Sequence, residues 1–223
     1  MAYYITPNYS VSLIPKSGCS TIARLVLKSF YPDKESLIQT GAYPEGKGPD
    51  NTLWQGFTPK EKYPSKPVIS FIREPIERFL SAMSQENLID VDLTIDSIIN
   101  STPIPPQNLN GKRKERLLSR NPHFSLQIKQ VTPTAKLYKF PDHLTEGSAE
   151  IGFVGDLVHI NSASRPKPSL TQNQINILNE IYAEDILLYN SIVLPGIVTG
   201  QVWSQYSPPP PPEPVDDEIL SDS

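Results

Sequence analysis

The chain has 223 residues, 38% hydrophobic and 20% charged, enough for one sizeable core and with no internal repeat to signal a solenoid. Its formal charge of -4 conceals an asymmetry: five of the 24 acidic residues lie from Glu213 onward, where no basic residue stands, so residues 1–207 carry 19 acidic against 20 basic side chains. A body that close to neutral lacks the global basic field expected of a nucleic-acid binder, and no apolar run approaches the roughly 20 residues a membrane helix needs.

In chain order, Val11-Ser12-Leu13-Ile14 reads as a buried strand that enters the loop Pro15-Lys16-Ser17-Gly18-Cys19-Ser20-Thr21 and then a helix. Ile22, Leu25, Val26 and Phe30 follow at i, i+3, i+4 and i+8, one apolar face that docks on a sheet. Such a junction leaves backbone N–H groups unpaired at the helix N-terminus, where the macrodipole favours anions. Gly18 lets the backbone approach a ligand, Ser17, Ser20 and Thr21 add hydroxyls, and Lys16 adds a mobile charge. An ordinary polar turn has the same composition.

Gly41 to Lys66 reads as a loop over the strand ends. Within it Gly41-Ala42-Tyr43-Pro44-Glu45-Gly46-Lys47-Gly48 nearly matches the nucleotide-triphosphate loop, but Gly48 stands where magnesium needs a hydroxyl and neither a buried strand nor an amphipathic helix flanks it, so a kinase is the weaker reading.

Val68 to Ile72 is a β-branched strand, and Pro75 opens the next helix, with Ile76, Phe79, Leu80 and Met83 as its buried face and Arg78 and Ser81 on the opposite side. Arg73 leaves the strand at its carboxyl end, where open α/β sheets bind ligands, so its guanidinium and the Ser81 hydroxyl converge on a phosphate. A solvated arginine paired with Glu74 or Glu77 is the blander alternative. The two junctions together suggest a pair of grips for a ligand with phosphate at both ends.

Ser101 to Asn110 reads as a loop, followed by the basic run Lys112, Arg113, Lys114, Arg116 and Arg120, which suits an anionic partner or a solvated helix face. Ala135 to Phe140 and Ile151 to Val154 read as short strands, and Arg165-Pro166-Lys167-Pro168 as a cationic loop. Thr171-Gln172-Asn173-Gln174 forms a capping box that opens the last helix, with Ile175, Leu178, Ile181, Tyr182 and Tyr189 inward. Residues 1–206 are expected to form one domain. Ser207 to Ser223, with five consecutive prolines and an acidic end, is expected to be an extended tail that solubilises the chain or docks a partner. His123, His143 and His159 are too widely spaced for a metal set, and the lone Cys19 lies in the anion loop. With one cysteine and no charged-then-apolar leader, a reducing, cytoplasmic setting is the expected one.

Pro15-Lys16-Ser17-Gly18-Cys19-Ser20 and Arg73-Glu74-Pro75-Ile76-Glu77-Arg78-Phe79-Leu80-Ser81-Ala82 resemble the two nucleotide-binding motifs of the sulfotransferases that use 3′-phosphoadenosine 5′-phosphosulfate (PAPS), in particular their carbohydrate sulfotransferase branch. Glu74 stands where that family has Asp. Asn121-Pro122-His123-Phe124-Ser125-Leu126-Gln127 is a weaker likeness to its His-Trp-x-Pro-Gln stretch, and Ile181 to Tyr189 is similar to its closing helix. The resemblance implies a single α/β domain with a central, mostly parallel sheet flanked by helices and a P-loop-like phosphosulfate loop. Under it, Pro15 to Thr21 hold the 5′ phosphosulfate, Arg73 and Ser81 the 3′ phosphate with Arg165 in reach, Lys16 neutralises the leaving phosphate, and no metal takes part. It also implies a hydroxyl acceptor of the glycan class and a general base, either His123 or Glu45. A protein of the same fold that binds nucleotide without catalysis is the reading from a different class.

Overall fold

The computed structural model describes residues 2–40, 53–104, 116–153 and 166–198. The chain opens with a hairpin, β1 (Tyr3–Ile5) and β2 (Ser10–Ser12), turned at Thr6-Pro7-Asn8-Tyr9, where the Thr6 hydroxyl donates to Tyr9 O (2.8 Å) and accepts from Tyr9 N–H (3.0 Å). Helices α1 (Cys19–Phe30), α2 (Pro32–Gln39) and α3 (Leu53–Phe57) follow, then β3 (Lys60–Glu61), β4 (Val68–Arg73), α4 (Pro75–Glu86) and α5 (Val91–Asn100). A small pair, β5 (Pro103–Ile104) and β6 (Arg116–Leu117), precedes β7 (Lys136–Phe140), α6 (Leu144–Glu150), α7 (Gln172–Ile181), α8 (Ala183–Ser191) and a final hairpin, β8 (Ile192–Leu194) with β9 (Ile197–Val198).

The main sheet has the order β3-β1-β2-β4-β7. β2–β4 and β4–β7 are parallel, whereas β1–β2 and β1–β3 are antiparallel. The sheet is therefore mixed, not mostly parallel, because a tight turn between β1 and β2 permits only antiparallel pairing. The parallel half is the part that matters for a site: β2, β4 and β7 all end on the same side. β4 sits at its centre, and Val68, Ile69, Phe71 and Ile72, apolar on both sides of the buried Ser70, are what burial on both faces demands.

One core joins α1 to the sheet through Val11, Ile22, Leu25, Val26, Phe71 and Tyr138. A second joins α4, α5 and α7, where Phe79 lies 5.8 Å edge-on from Phe124 and 6.4 Å from Tyr182. A third packs Ile72, Leu137, Ile128 and Leu188 between the sheet and α8. The capping box at Thr171 is formed in full and starts α7, which ends at Ile181 before α8 begins as a separate helix.

Three expectations need correction. Residues 151–153 turn and do not form a strand: Gly152 takes φ +89 and Phe153 N–H bonds back to Ser148 O (2.9 Å), terminating α6. Within the expected loop, residues 53–57 are helical, because Trp54 and its neighbours pack on α1 and the Thr58 hydroxyl bonds Ala23 O (3.2 Å). The helix that Thr171 opens does not run through to Tyr189: the backbone leaves helical geometry at Tyr182 (φ -104, ψ 21), so α7 closes at Ile181 and α8 begins at Ala183. Arg78 and Ser81 are both buried. Residues 41–48, Glu45, Lys112 to Lys114, Arg165 and the tail lie outside the described residues.

Gly147, inside α6, faces the Phe71 ring so closely that a Cβ there would stand 2.6 Å from its carbons. Helix propensity alone favours Gly→Ala by about 1 kcal/mol. Gly147→Ala is nonetheless expected to destabilise the protein by about 1 to 3 kcal/mol through overpacking, read as a lower urea midpoint; a raised midpoint would show that this contact relaxes freely.

Candidate functional site

The strand-to-helix junctions of β2–α1 and β4–α4 stand side by side because β2 and β4 are parallel neighbours. The first junction, residues 13–18, is a sharp loop in which both Lys16 (φ 67) and Gly18 (φ 85) occupy the left-handed region. Gly18 has no alternative: a Cβ would fall 2.3 Å from the Phe140 ring at the end of β7. For Lys16 that conformation costs free energy and persists only because its surroundings enforce it.

Those surroundings are polar and specific. Arg78, 1% exposed, donates Nε to Pro15 O (2.9 Å), Nη1 to Ser125 O (2.8 Å) and Nη2 to Pro122 O (2.9 Å), tying the loop to the 121–127 segment. Gln127, wholly buried, accepts at Oε1 from the Ser17 hydroxyl (2.9 Å) and from Arg73 N–H (2.9 Å), and donates Nε2 to Arg73 O (2.8 Å). The carboxylate of Asp185 accepts from Gln127 N–H (2.8 Å) and Ile128 N–H (2.9 Å), and Tyr182 donates to Phe124 O (2.9 Å). The 121–128 turn is thus held from α8 and α4 and in turn holds both junctions.

Each residue of the first motif has a definite place. Pro15 offers its carbonyl to Arg78. Ser17 commits its hydroxyl to Gln127 and its N–H to Ile14 O (3.2 Å). Gly18 is the N-cap of α1, so no side chain caps the first turn, Cys19 to Thr21. Ser20 accepts from Gln55 Nε2 (3.0 Å), and Thr21 is buried. The Cys19 thiol turns inward to donate to Ile14 O (2.9 Å), and burial pushes it up to about 11, which removes it as a nucleophile.

Lys16 is the chemically distinctive member. Partial burial, reinforced by the nearby Arg73 charge, lowers its ammonium to about 8, and Nζ donates to Gln85 Oε1 (2.6 Å). Arg73 reaches Lys16 O with Nη1 (3.4 Å) and Glu77 with Nη2 (3.5 Å), and Lys167 also pairs with Glu77. Glu74, at the family's Asp position, is the N-cap of α4 and accepts from Glu77 N–H (2.6 Å). The guanidinium of Arg73 is directed to Lys16 O and Glu77, while Ser81 lies buried two turns along α4. His123 stands at the far end of that helix, its Nδ1 2.8 Å from Glu86 Oε1. Among the described residues there is no cluster of His, Cys, Asp and Glu able to hold a metal.

The structure therefore brings Lys16, Arg73 and His123 around one helix. Of the bracing residues Arg78, Gln127 and Asp185, only Asp185 carries a sequence signal: Tyr182, Asp185 and Leu188 recur every three residues, which places the carboxylate on the buried face of α8. Gln127 had none beyond its position in the third motif.

Compared with protein-family models, with curated proteins and with solved structures, the chain matches none. The site's own bracing can be measured directly. Arg78→Met, which keeps the volume but loses three bonds to buried carbonyls, is expected to cost roughly 3 to 5 kcal/mol in urea unfolding. A loss under about 1 kcal/mol would remove Arg78 as the strut of the loop.

Proposed function

We propose that the protein is a sulfotransferase that moves a sulfuryl group from PAPS to a hydroxyl acceptor, with glycans the first class to test. The observation that carries this reading is the adjacency of Lys16 and Arg73, two partly desolvated cations delivered by separate chain turns to one end of a parallel strand pair. Two such cations beside an uncapped helix N-terminus make a strained, electropositive seat that an anion relieves.

The residues fit the donor. The N–H groups of the first turn of α1 and the hydroxyls of Ser20 and Thr21 are assigned the 5′ end, with Pro15, Ser17, Gly18 and Cys19 fixing the loop's shape. Arg73 is assigned the 3′ phosphate, in exchange for Glu77, with Ser81 and Arg165 as its neighbours in the reading. PAPS, when bound, supplies the activated sulfuryl group. Lys16 stabilises the charge that develops on the bridging oxygen, the largest contribution a side chain makes in such transfers. His123 takes the acceptor's proton. Each charge-assisted contact contributes roughly 1.5 to 3 kcal/mol.

Calorimetry with adenosine 3′,5′-bisphosphate is expected to show binding at about micromolar strength or tighter, weakened roughly 10- to 100-fold by Lys16→Ala and by Arg73→Ala. Transfer of radiolabelled sulfate to a member of a glycan panel completes the test. Absence of binding, or binding indifferent to both substitutions, would overturn the proposal. Binding without transfer to any acceptor would point to a nucleotide-binding protein of this architecture.

The lowered Lys16 ammonium adds a pH signature. The cation binds the anion, and it loses its proton near pH 8 and not above pH 10. Affinity for the bisphosphate is therefore expected to fall as pH rises through about 8, and Lys16→Arg to extend it to higher pH. A flat profile from pH 7 to about 9.5 in the unaltered protein would contradict this account of Lys16.

A further inference from the structure

α4 ends on two consecutive polar residues that touch two different chemical groups. Gln85 Oε1 accepts from Lys16 Nζ at 2.6 Å, and Glu86 Oε1 lies 2.8 Å from His123 Nδ1. The last turn of one helix thus fixes the spacing between the lysine and the histidine. The Lys16–Gln85 contact is exposed, whereas the His123–Glu86 contact is not a loose surface pairing: those two side chains are 23% and 9% exposed. The His123 backbone is also anchored, its N–H donating to Asn121 Oδ1 (2.9 Å), while Arg78 holds the carbonyls of Pro122 and Ser125 on either side of it.

Resting on the sulfotransferase reading above, we infer that Glu86 is the positioning residue of a His123–Glu86 dyad, fixing the imidazole with its proton on Nδ1 and leaving Nε2 free to accept a proton from the acceptor hydroxyl. An ionised carboxylate can only accept hydrogen bonds, so the ring nitrogen facing it must donate. The neutral imidazole then carries its lone pair on the other nitrogen. In the transfer step the acceptor oxygen forms the new bond to sulfur as the bond from sulfur to the bridging phosphate oxygen breaks. The hydroxyl proton passes to His123 Nε2, and the electron pair left on the phosphate is met by Lys16. The products are the sulfate ester, the bisphosphate nucleotide and a protonated His123, which balances atoms and charge. Gln85 holds the lysine in place until the nucleotide is bound, and the shared helix turn keeps the proton-accepting and charge-neutralising groups in register.

The test reads the imidazole itself, independently of turnover. Long-range proton–nitrogen NMR of the full-length protein labelled at histidine is expected to show His123 as the Nδ1–H tautomer at a pH where the ring is neutral. Glu86→Ala should convert it to a mixture of tautomers, whereas Glu86→Gln, which retains an acceptor oxygen, should preserve the tautomer but lose the charge. Affinity for adenosine 3′,5′-bisphosphate should stay within about threefold in both variants, which also verifies their fold. Sulfuryl transfer should fall about 10- to 100-fold in Glu86→Gln through kcat, with little change in the acceptor KM, and about 100-fold or more in His123→Asn. An Nε2–H tautomer in the unaltered protein, or an unchanged tautomer in Glu86→Ala, overturns the dyad. Failure of the bisphosphate to bind any form, with the tautomer result as expected, would overturn the sulfotransferase reading and with it the dyad's catalytic role, while leaving the hydrogen bond in place.

Discussion

A single buried guanidinium holds the site together. Arg78 leaves α4 and satisfies three main-chain carbonyls from two segments remote in sequence, those of Pro15 on one side and Pro122 and Ser125 on the other. Burial lowers the proton affinity of its guanidinium, and the nearby Asp185 carboxylate opposes that effect. A planar fork with donors fixed in direction suits this task, whereas a lysine in its place would serve one carbonyl well and strand the others. The neighbouring Gln127 performs the neutral counterpart, bonding both backbone groups of Arg73 and the side chain of Ser17. Loop shape, and hence the position of Lys16, depends on these two side chains more than on the apolar core beneath.

That arrangement explains how a conformation unfavourable to lysine is maintained. The chain turns through positive φ at Lys16 and again at Gly18, the second time against the face of Phe140. The turn directs Lys16 along α4 toward Gln85 while its carbonyl meets Arg73. The Arg73 charge thus acts on the Lys16 ammonium, and Glu77, shared by Arg73 and Lys167, supplies part of the compensating charge. In the sulfotransferase proposal, the cost of that like-charge pairing is offset when the nucleotide binds.

Much of this was legible in the residues. The β-branched run Val68–Ile72, Pro75 at the start of a helix, the apolar spacing after Thr21 and the capping box at Thr171 each follow a local rule, and each element formed. What failed was set by tertiary packing. No spacing marks Arg78 as buried, since arginine rarely is, and only the convergence of three distant carbonyls makes its burial favourable. Of the antiparallel hairpin Tyr3–Ser12 only the second strand reads from the residues, as Val11–Ile14, ending two positions too far along; β1 is three residues long, too short for alternation to show. Glu86, Gln85 and Gln127 are ordinary surface-type residues by sequence; their roles arise from what lies opposite them, which no spacing records.

The central claim is that Lys16 and Arg73 engage one ligand between them, and a crystal structure with adenosine 3′,5′-bisphosphate tests it most directly. The account predicts one phosphate at the first turn of α1 within hydrogen-bonding reach of Lys16, and the other on the Arg73 guanidinium, which has left Glu77. A nucleotide bound elsewhere, or one whose two phosphates touch neither side chain while Arg73 keeps its pairing with Glu77, would contradict it.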